Sequence, residues 1–368
     1  MSTNFEYRSK IAAALLGRPG DFPAYFRLYD ELFNFGTGGH IIEFGISPPR
    51  VPGRQPTDHD MILTAAQLLK TNTNLTPEAA GRALLKQLPP GRSQGEIDFV
   101  LNLAVQAMYM VDANIRGSDG SFYATGKSWN QGEAFVDFVA RCFPQVSAER
   151  QEHIAMVIEE RKALKAWKLR DRLNISFKGT DNLANHLLFD PRNRVVYVFH
   201  HAAYLKAHLD LWSERPAAKD AGISSALEHG TLSPRLLAET LHSLQSILFC
   251  YDDDRSMTML QQLVKRHSFD HSSCIHEGYK MFQSTADSFP YTYWGERLAV
   301  LHGLMNNRPP RTNLGRWVRW RASESNSFLI AMLALAISIV VGILSLGLSG
   351  LQVWIAWQAW KFPVDGRA

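Results

Sequence analysis

The chain has 368 residues, of which 46% are hydrophobic and 20% are charged, and its formal net charge is +4. This composition is that of a folded protein with a sizeable core, so it excludes an intrinsically disordered chain. The positive excess can be traced to Arg308–Arg321, which holds five arginines and no acidic residue. Because the remainder is about neutral, we expect no nucleic-acid partner.

Residues 1–173 are predicted to form a helical N-terminal part with a Gly- and Pro-rich loop at residues 35–60. Thr76-Pro77-Glu78 is a helix start with proline in the first turn, and Ser93-Gln94-Gly95-Glu96 is a capping box. The apolar positions after this box recur at helical spacing and predict a core face: Ile97, Val100, Leu101, Ala104 and Met108. Residues 147–173 predict one longer, strongly charged helix.

Residues 174–305 are predicted to hold a small β element followed by helices. Ile175 and Phe177 alternate with polar residues, and residues 194–199 are mostly β-branched or aromatic, so we expect two strands within 174–199. Thr180 is predicted to cap a short helix through Leu188. Later helices are predicted over Ala202–Trp212, from Ser233-Pro234, near Asp253 or Asp254, and over Tyr293–Met305.

One apolar segment near the C-terminus predicts a transmembrane helix at residues 328–349. Phe328–Leu348 reads FLIAMLALAISIVVGILSLGL, and no charged residue occurs from Ser325 to Trp360. A helix of this length spans about 31 Å, close to the hydrocarbon thickness of a bilayer. Tryptophans flank it as at membrane interfaces: Trp317, Trp320, Trp354, Trp357 and Trp360. A basic juxtamembrane segment at 306–327 precedes the span, and a short Trp-containing tail at 350–368 follows it. The alternative, a buried core helix, rarely runs this long without a polar position.

The flanking charges predict the orientation of this helix. Five arginines precede the span, against only Lys361 and Arg367 after it, so the N-terminal region should be cytosolic. Since few residues follow the span in this sequence, we expect post-translational insertion, as in tail-anchored proteins; the organelle is not specified. A glycan on the sequons at Asn74 or Asn174 would contradict this orientation.

Small residues recur at steps of three and four along the span and fall on one helical face: Ser327, Ala331, Ala334, Ser338, Gly342, Ser345 and Ser349. Such a face allows two helix backbones to approach closely, so a homodimer or a second membrane helix is a candidate partner besides the lipid bilayer. The plainer interpretation is that these residues are common in membrane helices.

A series of short segments around the hydrophobic helix carries a resemblance to a known group of proteins. These segments are Thr180-Asp181-Asn182-Leu183, His186-Leu187, Phe199-His200-His201, Leu205, Gln352 and Ala359. Over roughly residues 165–360 they resemble a group of fungal membrane proteins with no assigned activity. The resemblance implies the architecture and a fungal origin, and it carries over no catalytic residue.

Two histidine-containing clusters could carry chemistry. The first could bind zinc through imidazole and thiolate, but its spacing matches no zinc finger, and a polar loop is the simpler interpretation. Its members are His267, His271, Cys274, His276 and Glu277. The second is His200 and His201, with His186 and His208 nearby, which could supply acid–base groups at a strand end. Because adjacent strand residues face opposite ways, we expect at most one of His200 and His201 in any pocket. The commoner outcome is a buried histidine hydrogen-bonded to the backbone.

Tyr251-Asp252-Asp253-Asp254 resembles half of a magnesium–diphosphate site of helical prenyl-transferring enzymes. No second aspartate-rich run accompanies it, and helix capping explains the aspartates more simply. We therefore assign no catalytic, cofactor-binding or metal-binding residue. The sequence favours a non-catalytic protein whose cytosolic helical domain contacts an unidentified protein at a membrane. The alternative is a membrane-attached enzyme that uses one of the histidine clusters, with or without a metal.

Overall fold

A computed structural model describes residues 2–36, 59–115, 128–215, 221–276, 290–306 and 327–361. The chain divides into two compact units, Met1–Asn306 and Asn307–Ala368. The prediction of a mainly α fold with a minor sheet is confirmed. Most of the predicted loop at 35–60 and of the basic segment at 306–327 lies outside the described residues.

Thirteen α-helices belong to the described part of the first unit, which we call the helical unit. They are α1 (Ser2–Leu16), α2 (Pro23–Gly36), α3 (His59–Thr71), α4 (Pro77–Gln87), α5 (Gln94–Tyr109), α6 (Phe135–Cys142), α7 (Gln151–Glu159), α8 (Ala166–Leu173), α9 (Ala202–Ser213), α10 (Ile223–Glu228), α11 (Pro234–His242), α12 (Asp254–His267) and α13 (Gly295–Asn306). A π-helical turn, Ser243–Leu248, continues α11.

The predicted capping signals of α4 and α5 are confirmed. The Ala79 N–H donates to the Thr76 hydroxyl over 3.3 Å. The Glu96 N–H donates to Ser93 Oγ over 3.3 Å, and the Ser93 N–H donates to Glu96 Oε2 over 3.0 Å. Side-chain acceptors thus satisfy N–H groups that have no partner inside the helix.

Helix α5 is buried over most of its length. All five positions of its predicted apolar face are at most 1% exposed. Two tyrosines bind the carbonyl groups in its last turn: Tyr25 Oη of α2 donates to Ala107 O, and Tyr204 Oη of α9 donates to Met108 O, each over 2.8 Å. The end of α5 is therefore joined to helices far away in sequence.

The prediction of one helix over residues 147–173 is wrong, because the chain bends between α7 and α8. A 3₁₀ turn covers Arg161–Ala163, and Lys165 is extended, with φ −53° and ψ 132°. Leu164, next to this break, is 0% exposed. A straight charged helix would leave few apolar groups in contact with the core, whereas the bend buries Leu164 and the apolar side of α8.

The small sheet has three strands instead of the predicted two. Strand β1 (Ser176–Thr180) pairs in parallel with β3 (Val195–Phe199), and the short β2 (Leu188–Asp190) pairs antiparallel with β3. The short helix predicted through Leu188 is reduced to a 3₁₀ turn, Leu183–Asn185, which Asn182 caps instead of Thr180. Backbone pairing with β3 outweighs the local capping signal here.

The described part of the second unit is one helix, α14 (Ser327–Lys361). Its segment Ala334–Gln358 is long and apolar enough to cross a membrane, and none of it is buried. At the ordinary helical rise this segment is about 37 Å long, more than the roughly 30 Å of a bilayer's hydrocarbon. The helix also includes residues 350–361 of the predicted Trp-containing tail.

Candidate functional site

The parallel pairing of β1 and β3 brings one acid and two histidines together. Thr180 and Phe199 are partners in the register, and they are the last residues of their strands. Because parallel strands end at the same edge of a sheet, the residues that follow them become neighbours. These residues are Asp181 after β1 and His200 and His201 after β3, and we call them the Asp–His cluster.

Both histidines contact the same carboxylate oxygen. Asp181 Oδ1 lies 2.7 Å from His201 Nε2 and 3.3 Å from His200 Nε2. The side chains of His200 and His201 are 10% and 2% exposed, whereas that of Asp181 is 47% exposed. The cluster thus has a buried imidazole pair beneath a half-exposed acid.

The expectation that His200 and His201 would face opposite ways is wrong. Strand β3 ends at Phe199, and His201 has φ −74° and ψ 68°, so the strand's alternation does not extend to it. The two rings stack with their centroids 4.2 Å apart. His201 is also the residue before α9, where the chain leaves the sheet.

A segment after α12, residues 269–276, packs against the cluster. The Asp270 N–H donates to His200 Nδ1 over 3.3 Å, and Ser273 Oγ donates to the His200 carbonyl over 3.0 Å. The Phe269 ring stacks on His200 at 5.0 Å. The Asp270 carboxylate accepts the Ala203 N–H over 2.7 Å, at the start of α9. The cluster therefore links the sheet, α9 and this segment.

Glycine at position 179 makes the close approach possible. A Cβ there would lie 2.8 Å from His200 Cδ2 and 2.9 Å from Phe269 Cε1, which is closer than carbon atoms normally approach. The absence of a side chain at position 179 therefore provides the space in which the rings of His200 and Phe269 stack.

The contacts assign the protons of the cluster. Nδ1 of His200 accepts an N–H, so Nε2 is the ring nitrogen that donates, and it faces Asp181. Burial, and then the neighbouring His200, lower the pKa of His201, so its ring is neutral near pH 7. Burial alone would raise the pKa of Asp181, but hydrogen bonds from both histidines outweigh it and lower the pKa. Asp181 is thus an ionised acceptor for two Nε2–H groups.

These three side chains also satisfy the distance requirement for metal ligands, since their candidate ligand atoms lie within 4.8 Å of one another. A bound ion would require lone pairs on both Nε2 atoms and would move the protons to Nδ1. At His200 that proton would face the Asp270 N–H, and His201 Nδ1 is buried without a hydrogen-bond partner. The arrangement therefore fits a carboxylate shared by two N–H donors better than a metal centre.

The other two nearby histidines are buried and hydrogen-bonded. His186 Nδ1 accepts the Phe199 N–H over 3.1 Å, and its Nε2 lies 2.7 Å from Ser243 Oγ. Burial lowers its pKa well below the usual value, and the charge of Arg297 lowers it further. His208 Nδ1 lies 2.8 Å from Thr231 Oγ1, and burial lowers its pKa to about 3. Both rings are neutral at physiological pH.

The first histidine cluster of the sequence is dispersed in the described residues. His267 ends α12, and Ser268 is left-handed with φ 56°, so His271 does not continue the same helical face. The ring of His276 lies 4.3 Å from that of Tyr251, and Glu277 lies outside the described residues. Within the described ranges, the metal-like group comprises Asp181, His200 and His201 alone.

The aspartate-rich run functions as a helix start. Asp253 is the N-cap of α12 and accepts the Ser256 N–H over 3.1 Å. Its carboxylate also accepts Trp167 Nε1–H over 2.8 Å and lies 3.3 Å from Lys165 Nζ. These contacts agree with the capping interpretation of the run.

Sequence reasoning missed a buried acid on α11. Glu239 is 0% exposed and accepts backbone N–H groups over 2.5 to 3.0 Å from Thr292, Tyr293 and Trp294, just before α13. Burial raises its pKa to about 7, although these donors act in the opposite direction. No local signal marks this residue, because its partners lie more than fifty positions later in the chain.

Comparisons with protein-family models, with curated proteins and with solved structures find no match to this chain. The resemblance to fungal membrane proteins therefore stays a prediction. What can be said of function rests on α14 and on the helical unit.

Proposed function

We propose that this chain is a single-pass membrane protein of the tail-anchored type, whose helical unit faces the cytosol and contacts other proteins. The observation that carries the proposal is the exposure of α14: its leucine, isoleucine and valine side chains from Leu335 to Ile355 are 54% to 76% exposed. A helix that is apolar on all sides is stable in hydrocarbon, where its backbone groups are satisfied internally.

The charges around α14 support the cytosolic orientation. Five arginines lie between residues 308 and 321, before the helix, and the first basic residue after its apolar part is Lys361. Positive charge accumulates on the cytosolic side of membrane helices. Lys361 Nζ lies 4.7 Å from the Trp357 ring, a pairing that suits a membrane interface.

The closed state of the Asp–His cluster bears on the alternative, a membrane-attached enzyme. The Nε2 atoms of His200 and His201 and Oδ1 of Asp181 are already used for one another, and His200 Nδ1 and its carbonyl bind the 269–276 segment. A membrane-attached enzyme using these histidines is less supported, because a reacting group would have to displace these contacts.

We also propose that α14 forms a homodimer through its face of small residues. Ala334, Ser338, Gly342, Ser345 and Ser349 share a face, and a Cβ at Gly342 would meet nothing within 4 Å. The Ser338 hydroxyl is already used within the helix, donating to Ala334 O over 2.9 Å. Replacement of Gly342 by Leu should weaken a homodimer on this face, whereas Leu at Ile343 should not.

Insertion and orientation can be tested with one tagged protein. A glycosylation sequon added after residue 368 should be modified in microsomes when the complete chain is added after its synthesis. The native sequons at Asn74 and Asn174, both exposed, should stay unmodified. The protein should also resist extraction by alkaline carbonate. Glycans on Asn74 or Asn174, or release by carbonate, would refute the topology.

The interaction role needs a different comparison. Crosslinked partners of the full-length protein should differ from those of a form that lacks residues 325–368, because the anchor determines which proteins are near. The control is the anchored protein with Arg82 replaced by Glu, which changes one surface charge on α4 and leaves the anchor intact. Identical partner sets for the anchored and anchorless forms would contradict membrane recruitment.

A further inference from the structure

The bend between α7 and α8 concentrates positive charge on one side of the helical unit. Residues 161–172 contain six basic residues and one acidic residue. Lys168 and Arg172 are four positions apart and share one side of α8, and Lys165 is the residue just before this helix. Together with Lys162 in the preceding 3₁₀ turn, we call these residues the basic patch.

Lys168 interacts with the other three cations of the patch. Burial lowers the pKa of Lys168, and the charges of Arg172, Lys165 and Lys162 lower it further, in that order, with Asp253 opposing them. Lys168 Nζ donates to the Lys162 carbonyl over 2.7 Å, which keeps its charge close to the patch. The free protein thus holds like charges together at a cost that a bound anion would relieve.

Carboxylates neutralise little of this charge. Lys165 pairs with Asp253 at 3.3 Å. Within the part of the chain that the structure describes, no carboxylate lies within 4.0 Å of the charged groups of Lys162, Lys168 or Arg172. Lys162 and Arg172 are exposed. The patch therefore presents unneutralised charge to solvent.

An indole lies among these cations. Lys168 Nζ is 5.6 Å and Arg255 Cζ is 4.9 Å from the centroid of the partly exposed Trp167 ring. Tryptophan beside lysine and arginine is typical of surfaces that sit at the headgroup level of a membrane. Clusters of basic residues close to a membrane surface are attracted to anionic headgroups, by about 1 kcal/mol for each Lys or Arg.

We propose that the basic patch binds anionic phospholipid headgroups on the cytosolic leaflet of the membrane that holds α14. This inference rests on the proposed anchoring, which keeps the helical unit close to a lipid surface. Two attachments, one apolar and one electrostatic, would then hold the helical unit. The second depends on lipid composition and salt, because exposed charges are screened.

The test uses the full-length protein, inserted from outside into vesicles of phosphatidylcholine alone or of phosphatidylcholine with phosphatidylserine. An amine-reactive reagent labels the lysines, and mass spectrometry measures each site. With phosphatidylserine, labelling of Lys162 and Lys168 should fall by about threefold and recover at high salt. Lys86 on α4 and Lys265 on α12, both exposed, should change little and are the internal references.

Two matched variants give the patch its own control. Arg172→Gln removes one patch charge without removing a labelled lysine, and it should cut the protection of Lys162 and Lys168 by about half. Arg82→Gln removes one exposed charge from α4 and should leave that protection unchanged.

The outcomes separate this inference from the anchoring proposal. Resistance to alkaline carbonate, measured on the same vesicles, reports α14. Equal labelling of the patch in both vesicle types, in protein that resists carbonate, overturns the patch proposal alone. Protection of Lys162 and Lys168 by an added RNA oligonucleotide in neutral vesicles, with none from phosphatidylserine, also overturns it and assigns the patch to nucleic acid.

Discussion

Leucine side chains meet opposite surroundings in the two units of this chain. In the helical unit, Leu101 and Leu205 are 0% exposed, whereas Leu344 and Leu346 of α14 are 63% and 76% exposed. Apolar area gains roughly 25 cal/mol per Å² when it leaves water, so both sets need a nonaqueous environment. The helical unit provides its own in a packed core, and under the proposed anchoring α14 obtains it from lipid. In that case leucine has two different nonaqueous environments in one chain.

The largest expected effect comes from charge in the middle of α14. Val340 and Val341 are 57% and 55% exposed and lie near the centre of the apolar run Phe328–Leu348. Replacing both with Lys should cost about 5 kcal/mol of insertion free energy, enough to abolish membrane retention. Fractionation after carbonate treatment measures this, and the matched variant with two leucines should stay in the membrane fraction. Retention of the double-lysine variant would mean that α14 is buried in protein instead of lipid.

A pair of leucine substitutions compares the two environments directly. Leu101→Ala opens a cavity in the core and should lower the free energy of unfolding of the helical unit by about 3 kcal/mol. Leu346→Ala removes the same atoms from an exposed site and should leave that free energy unchanged. Denaturant titration of both proteins in detergent makes the measurement. Equal destabilisation by the two substitutions would contradict the contrast between core and lipid-facing helix.

The sequence predicts the parts of this fold whose signals are local. The cap of Ser93 with Glu96, the buried side of α5 and the apolar length of α14 depend on residues a few positions apart, and each is found in the structure. Periodicity and capping act within one or two turns, so a single sequence contains the information they need.

The wrong predictions concern tertiary and strand-pairing contacts that capping and helical periodicity do not encode. Strand β2 exists because Leu188–Asp190 pair with β3. The bend at Leu164 accompanies the burial of this residue, which the neighbouring sequence does not predict. The pairing of Asp181 with His200 and His201 follows from the parallel register of β1 and β3, which alternation of residues does not specify. The sequence contains both histidines and the acid, but it does not specify the strand topology that places them next to one another.

The two units also differ in charge. The helical unit buries the acidic side chain of Glu239, whereas no charged residue occurs in α14 up to Trp360. The raised pKa of Glu239, about 7, lies above its ordinary 4.5. Its contribution to stability is therefore complete below about pH 4.5 and is lost as the pH rises through about 7, a change of about 3 kcal/mol. Glu239→Gln should remove this dependence. Denaturant titration between pH 5 and 8 measures it, and an unchanged slope in the variant would refute the assignment.

The smallest expected effect concerns two glycines in different surroundings. Gly179→Ala places a methyl group 2.8 Å from His200 and 2.9 Å from Phe269, so the ring stack must move, at a cost of about 2 kcal/mol. Gly95→Ala, on α5, meets nothing within 4 Å and should stabilise the protein by up to about 1 kcal/mol through helix propensity.

Amide exchange tests the local effect of Gly179→Ala. Because the 269–276 segment is held through His200, this substitution should speed amide exchange in the segment, including that of the Asp270 N–H. Exchange measured by mass spectrometry distinguishes a local effect from general destabilisation. Faster exchange confined to this segment would support the Asp–His cluster as its attachment. Unchanged exchange would show that other contacts hold the segment without the cluster, namely the hydrogen bonds that Lys206 and Gln245 donate to Ile275 O.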